Sequence, residues 1–319
     1  MTAIVETPTP SPSKAWTVVI TNEKYLTGAL TLAFSLRLVE SAYPLVVLYT
    51  PTVPDYVLQA LHARAIPTQK IDHIIPANGP AYTHDPRFLD CWTKLCVFGL
   101  TSFSRIVQLD ADMLVRQNMD ELMTLPLSSP AAALDGSGDK VFAAGHACVC
   151  NPLQKTHYPR DWVPANCAFM TQHADGAATA HLVAPRNTAS PLGYMNGGLL
   201  VVVPSAELWT RIQKFMHENA QRLPFADQSV LSEMFVRRWE PLPYVYNALK
   251  TMRWKGVHDG IWQDDKVKNV HYIMTPKPWD EVDENGMCKS EDPTHQWWVD
   301  VNLQRKASER LAGIKDDGL

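Results

Sequence analysis

The chain predicts an α/β fold with a mixed, mostly parallel sheet and helices on both faces, and three observations carry that prediction. The first is a β-α-β-α-β alternation across residues 16–75, the signature of parallel strands joined by helical crossovers. The second is Arg105-Ile-Val-Gln-Leu109, an apolar run that passes directly into Asp110. The third is Gly198-Leu-Leu-Val-Val-Val203, the clearest central strand. With 46% apolar and 19% charged residues in 319, the chain is able to bury a large core.

Taken in order, residues 1–14, Pro- and Ser-rich, read as a disordered tail with nothing to bury. Trp16-Thr-Val-Val-Ile-Thr21 is the first strand. Asn22 follows as a helix cap, and Leu26, Ala29, Leu30, Ala33 and Leu36 then recur at helical spacing. Residues 44–50 form the next strand, 54–64 a helix, and 70–75 a third strand. A helix is expected over 90–100, a short strand over 131–134, and helices over 205–218 and 227–238. Residues 136–192 are rich in Cys, His, Pro and Asn with weak periodicity, and a connection that long is usually functional. One catalytic domain is expected over 15–300, with 301–319 a loosely docked helix or tail.

Composition excludes several classes. A net charge of −4 is the wrong sign for holding a phosphate backbone. No apolar run approaches the roughly 18 residues of a membrane span. The N-terminus lacks the basic and apolar regions of a secretory leader, and six cysteines are too few for a disulfide framework. No Gly-x-Gly-x-x-Gly follows the first strand, so a dinucleotide fingerprint is absent. These features set the expectation of a cytoplasmic enzyme.

Four short motifs carry chemistry. Asp110-Ala-Asp112 ends an apolar strand, where ligands of open α/β sheets bind, and paired carboxylates there suit Mg²⁺ or Mn²⁺. As ligands at a strand end they are expected to be exposed; the alternative is a solvated turn. His271 through Trp279 joins an imidazole to Lys277, flanked by Pro276 and Pro278; alternatively His271 is a satisfied core residue. Asn196-Gly197-Gly198 allows close backbone approach to a ligand, or is a simple turn. Asp227-Gln228 opens a helix, where Asp227 is alternatively an ordinary cap. Separately, Cys148-x-Cys150 with Cys167 and nearby histidines reads as a zinc site, as a reduced structural group, or as part of an acceptor-site lid with Trp162, Pro164 and Asn166.

These pieces occur in one order. Together with Thr21 through Leu30, Lys94-Leu95 and Leu242 through Asn247, they resemble glycosyltransferase family 8, the group containing glycogenins and galactinol synthases, from about Trp16 to Trp279. The resemblance implies a single Rossmann-like nucleotide-sugar transferase domain of GT-A type, a UDP-sugar donor, Mn²⁺, and retention at the anomeric carbon by same-face attack or a covalent intermediate. It implies Asp110, Asp112 and His271 as metal ligands, and Thr21, Asn22 and Tyr25 as the uridine pocket. Lys277 is implied for the diphosphate, Lys94, Asp135, Asn196 and Gly197 for the donor sugar, and Asp227 and Gln228 for the reacting centre.

Three departures matter. Met274 stands where the family commonly has Gly, and Pro224 where glycogenin has an acidic residue. No Tyr lies between Asn247 and His271, where glycogenin carries the tyrosine it glucosylates. Residues 246–255 and 266–272 are closer to galactinol synthases. The expected function is therefore Mn²⁺-dependent hexose transfer from a UDP-sugar to a small polyol or sugar. A larger glycan acceptor, or a catalytically silent UDP-sugar-binding protein, are the alternatives.

Overall fold

The computed structural model describes residues 13–174, 177–185, 193–314 and 317–318. The chain opens with β1 (Lys14–Ile20), α1 (Leu26–Leu38), β2 (Leu45–Tyr49), α2 (Asp55–Ala63) and β3 (Thr68–Lys70). Next come α3 (Phe88–Cys91), a 3₁₀ helix Trp92–Gly99, β4 (Arg105–Leu109), β5 (Met113–Val115) and α4 (Pro130–Asp135). Then β6 (Phe142–His146), α5 (Thr171–Ala174), β7 (Met195–Val202), α6 (Ala206–Asn219) and α7 (Ala226–Met234). The last elements are β8 (Glu240–Pro241), β9 (Ala248–Leu249), β10 (Asn269–His271) and α8 (Pro293–Leu311).

Seven strands form the main sheet in the order β3-β2-β1-β4-β7-β6-β8. Every neighbouring pair is parallel except the two that involve β7, which runs against both β4 and β6. Along β7, Leu199 and Val201 face the α1/α2 side while Leu200 and Val202 face the α6/α7 side. Helices cover both faces, so residues 199–202 of the strand are apolar in succession rather than alternating. Trp16, Val18 and Ile20 of β1 join the first of these cores, and burying each such side chain contributes about 1.5–3 kcal/mol. A small second sheet, β5-β10-β9, sits beyond the end of β4.

Local chemistry explains where the elements differ from expectation. Residues 131–134 form a helical turn, not a strand. Ser129 Oγ accepts from Ala132 N, Pro130 takes the first position, and Gly136 closes the turn at φ 89°. Residues 92–99 are 3₁₀ rather than α, and the third strand is Thr68–Lys70, which meets the expected 70–75 only at Lys70. Helix α6 is capped by Ser205 as expected. The expected tail falls almost wholly outside the described residues. The boundary placed at 300/301 falls inside α8, which docks firmly. Trp298 and Val299 are buried, Asn302 accepts from Thr31 Oγ1 at 3.0 Å, and Glu309 pairs with Arg64, just past α2, at 2.9 Å.

Candidate active site

Topology gathers the motifs at one edge of the main sheet. Thr21 and Asn22 follow β1, and Asp110 follows β4. Because β7 runs the opposite way, its first residues lie beside the end of β4, with Asp110 N donating to Gly198 O at 2.9 Å. The second sheet supplies the histidine: His271 pairs with Met113, and Tyr272 N donates to Asp112 O at 2.8 Å. A cavity of about 730 Å³ opens there.

Thr21, Asn22, Tyr25, Lys94, Asp110, Asp112, Asn196, Asp227, Gln228, His271 and Lys277 all line this cavity. Gly197 lies just behind it: a Cβ there would sit 2.1 Å from Asp227 Oδ2, and one on Gly198 would sit 2.3 Å from His271 Cε1. The Gly-Gly pair is thus what lets two functional side chains pack against β7. Asp135 is not brought in. It is exposed at the end of α4, where its carboxylate accepts from Ser137 N at 2.8 Å. Sequence reasoning missed Arg87, held bidentately by Asp85 at 2.8 and 2.6 Å on the cavity wall. It also missed Tyr158 and Phe225 as lining aromatics. Neither group belongs to a recognisable motif.

The orientation of His271 follows from one backbone donor. Gly198 N–H donates to Asn196 Oδ1 at 3.0 Å, which fixes that amide. Asn247 Nδ2 then donates to the same oxygen at 2.9 Å, so Asn247 Oδ1 faces His271 Nδ1 at 3.0 Å and accepts its proton. In the neutral ring the Nε2 lone pair is left toward Asp112 Oδ1 at 3.4 Å and Asp110 Oδ2 at 3.6 Å. A cation bound between them makes an imidazole lone pair facing two carboxylates favourable. One ligand atom from each residue lies within 4.8 Å of the others. This oxygen-plus-imidazole donor set fits Mn²⁺.

Charge around the site is arranged as one pair and one triad. Asp112 is buried, contrary to the expected exposure, and ion-pairs with Lys277, whose Nζ also donates to Tyr272 O at 2.7 Å. Burial acts to raise the Asp112 carboxyl, but Lys277 and His271 prevail and hold it well below the usual carboxylate range. Lys94 lies 3.0 Å from Asp110 and 3.6 Å from Asp227. Asp227, 1% exposed, is pushed up to about 6 by burial against the pull of Lys94, and its Oδ2 has no hydrogen-bond partner. Gln228 Oε1 accepts from Gly197 N at 3.0 Å and Asn196 Nδ2 at 3.2 Å. Tyr25 packs edge-on against Trp279 at 6.1 Å, and burial raises its hydroxyl to about 12, so it stays protonated at neutral pH.

Two backbone positions here sit in the left-handed region without being glycine: Ala226 at φ 43° and Met274 at φ 64°. Met274 therefore keeps the backbone region glycine favours, at a strain of about 1–2 kcal/mol. Such strain concentrates at functional sites.

Known proteins match this chain over most of its length. The family model described as Glycosyl transferase family 8 matches residues 17–283. Galactinol synthase 1 of Ajuga reptans is 30% identical over 302 residues, covering 92% of this chain and 83% of that protein. Galactinol synthase 4 of Arabidopsis thaliana is 27% identical over 298 residues, covering 90% and 80%. Among solved structures, galactosyltransferase LgtC with donor and acceptor sugar analogs superposes at a TM-score of 0.57 and 17% identity, over 92% of this chain and 95% of that one. Apo GlyE of Streptococcus pneumoniae TIGR4 superposes at 0.56 and 14% identity, over 95% of this chain and 64% of that one. The fold is the GT-A type of the sugar transferases.

Proposed function

The chain belongs to glycosyl transferase family 8, and on that premise we propose that it moves a hexose from a UDP-sugar to a small polyol or sugar, with retention at the anomeric carbon. One observation carries the reading: the His271 lone pair, two carboxylates and the Lys277 ammonium converge at a cavity that Asp227 also lines. The galactinol synthases among its relatives support a polyol acceptor.

Asp110, Asp112 and His271 would hold the divalent ion, Mn²⁺ before Mg²⁺ because of the imidazole. Bound there, it would neutralise charge on the leaving diphosphate. Lys277 adds a point charge for the same phosphates, and Thr21, Asn22 and Tyr25 hold the nucleoside. Lys94 and Asn196 face the donor sugar. Asp227, whose Oδ2 makes no hydrogen bond and lies 3.6 Å from Lys94 Nζ, would set negative charge beside positive charge growing on that sugar. Gln228 commits its oxygen to β7, which leaves its NH₂ as the group available to substrate. The wall containing Tyr158 and Trp162 is suited to an acceptor. Among the described residues no helix is long and apolar enough to cross a membrane. Six free cysteines support a cytoplasmic setting as part of the same proposal.

An acceptor panel tests this reading. The protein is incubated with UDP-glucose or UDP-galactose, Mn²⁺, and polyols, monosaccharides or longer glycans, and products are read by mass spectrometry. One hexose on a small polyol or sugar is expected, with the protein's own mass unchanged, since no tyrosine lies between Asn247 and His271. Transfer only to long glycans would move the reading to a larger acceptor. A ladder of about 162 Da steps on the protein, one hexose residue each, would show self-glycosylation instead.

A further inference from the structure

The connection between β6 and β7 contains thiols that sugar transfer does not use. Cys148 and Cys150 follow β6 two residues apart, a spacing that turns both side chains to one side of an extended chain. Cys167 sits between the 3₁₀ turns Pro164–Asn166 and Ala168–Met170. His258 arrives from the connection between β9 and β10, 91 residues beyond Cys167. One ligand atom of each of the four lies within 4.8 Å of the others. His258 Nε2 is 3.3 Å from Cys150 Sγ and 3.4 Å from Cys167 Sγ. Tetrahedral zinc, with bonds of about 2.3 Å to sulfur and 2.0–2.1 Å to nitrogen, spaces its ligand atoms about 3.5–3.8 Å apart.

The surroundings hold the imidazole in a ligating pose. His258 is fully buried, and Phe169 packs edge-on against its ring at 5.5 Å. Its Nδ1 lies 3.1 Å from His173 Nε2. A proton on Nδ1 donated to His173 leaves the Nε2 lone pair toward the sulfurs, as the outer hydrogen bond of a metal-bound histidine does. None of the three cysteines is in a disulfide.

We propose that Cys148, Cys150, Cys167 and His258 form a structural zinc site, separate from Asp110, Asp112 and His271. Four protein ligands close the tetrahedron and leave no position for substrate. Soft thiolates select zinc, whereas the carboxylate site takes a harder ion, so the two sites hold different metals. The zinc ties the connection between β6 and β7 to the loop before β10. Cys148, Tyr158 and Trp162 of that connection line the cavity, so the clamp fixes one cavity wall. The site rests on the cysteine geometry alone and stands whatever sugar the protein transfers.

Metal analysis of the full chain tests it. Protein made in zinc-supplemented medium, kept reduced and desalted, is expected to carry about one zinc per chain. The Asp110→Asn/Asp112→Asn variant is expected to keep that zinc, and Cys150→Ser to lose most of it. Because Cys150→Ser also risks misfolding, the wild-type chain is reconstituted with Co²⁺. Thiolate-to-cobalt charge transfer and tetrahedral visible bands, displaced by zinc, are expected. Folded wild-type protein with no zinc and no cobalt bands would overturn the proposal. So would zinc that survives Cys150→Ser but leaves with the two aspartates, or a disulfide among the three cysteines in freshly purified protein.

Discussion

Asparagine at position 112 is expected to abolish sugar transfer while the protein stays folded. The substitution keeps a polar partner for Lys277 but removes the charge that, with Asp110, makes the His271 lone pair part of a cation site. Loss of a preorganised electrostatic group at a site of developing charge lowers kcat by about 10²–10³-fold, and loss of a metal ligand is expected to lower it more, because metal affinity falls as well. Alanine is the harsher change. It strands the buried Lys277 ammonium, and breaking such a pair costs about 3–5 kcal/mol. Transfer rate, Mn²⁺ titration and thermal melting of both variants check this. Full turnover of either variant in EDTA would end the metal argument.

Asp227→Asn separates catalysis from stability. Asp227 is not the cap of α7; Phe225 holds that position and Asp227 lies in the first turn, buried, with Oδ2 making no hydrogen bond and lying 3.6 Å from Lys94 Nζ. If that oxygen faces the reacting carbon, kcat falls about 10²–10³-fold while UDP affinity barely changes. Stability moves the other way. Burial raises its folded pKa to about 6, above the unfolded value, so the native state favours the proton. Above pH 6 the buried carboxylate therefore lowers stability, and the penalty disappears as pH falls toward 4. Asparagine removes it, so the metal-free variant is expected to melt higher than the parent at pH 7.5 and equally at pH 4. Unchanged kcat would move the catalytic role to Gln228; unchanged kcat in both single variants would remove the pair from the mechanism.

Much of this was legible because it is local. The apolar runs of β1, β2, β4 and β7 announced themselves, and Asp110 was visible as the residue a strand runs into. The strands that bring His271 to Asp112 were not legible: β5 and β10 have three residues each and meet across a long span of chain. Strand β6, Phe142-Ala-Ala-Gly-His146, lacks β-branched residues and was hidden in the long connection. Asp135 was assigned through resemblance, and the Ser129-Pro130 start and Gly136 stop fold it into a surface turn instead. The proposed zinc site shows three of its four ligands in the sequence, since Cys148, Cys150 and Cys167 lie within 20 residues while His258 joins them only through folding. Polar α8 gave no sign that Trp298 and Arg305 would be fully buried.

Asp110, Asp112, His271 and Lys277 are proposed to serve a working transferase rather than a nucleotide-sugar sensor. UDP release from UDP-galactose and UDP-glucose by the purified full chain, with Mn²⁺ and with or without myo-inositol, tests it most directly. The expected result is release that one of the two donors supports, that the polyol accelerates, and that EDTA stops. UDP binding with no release from either donor, at any Mn²⁺ concentration and with every acceptor, would contradict it.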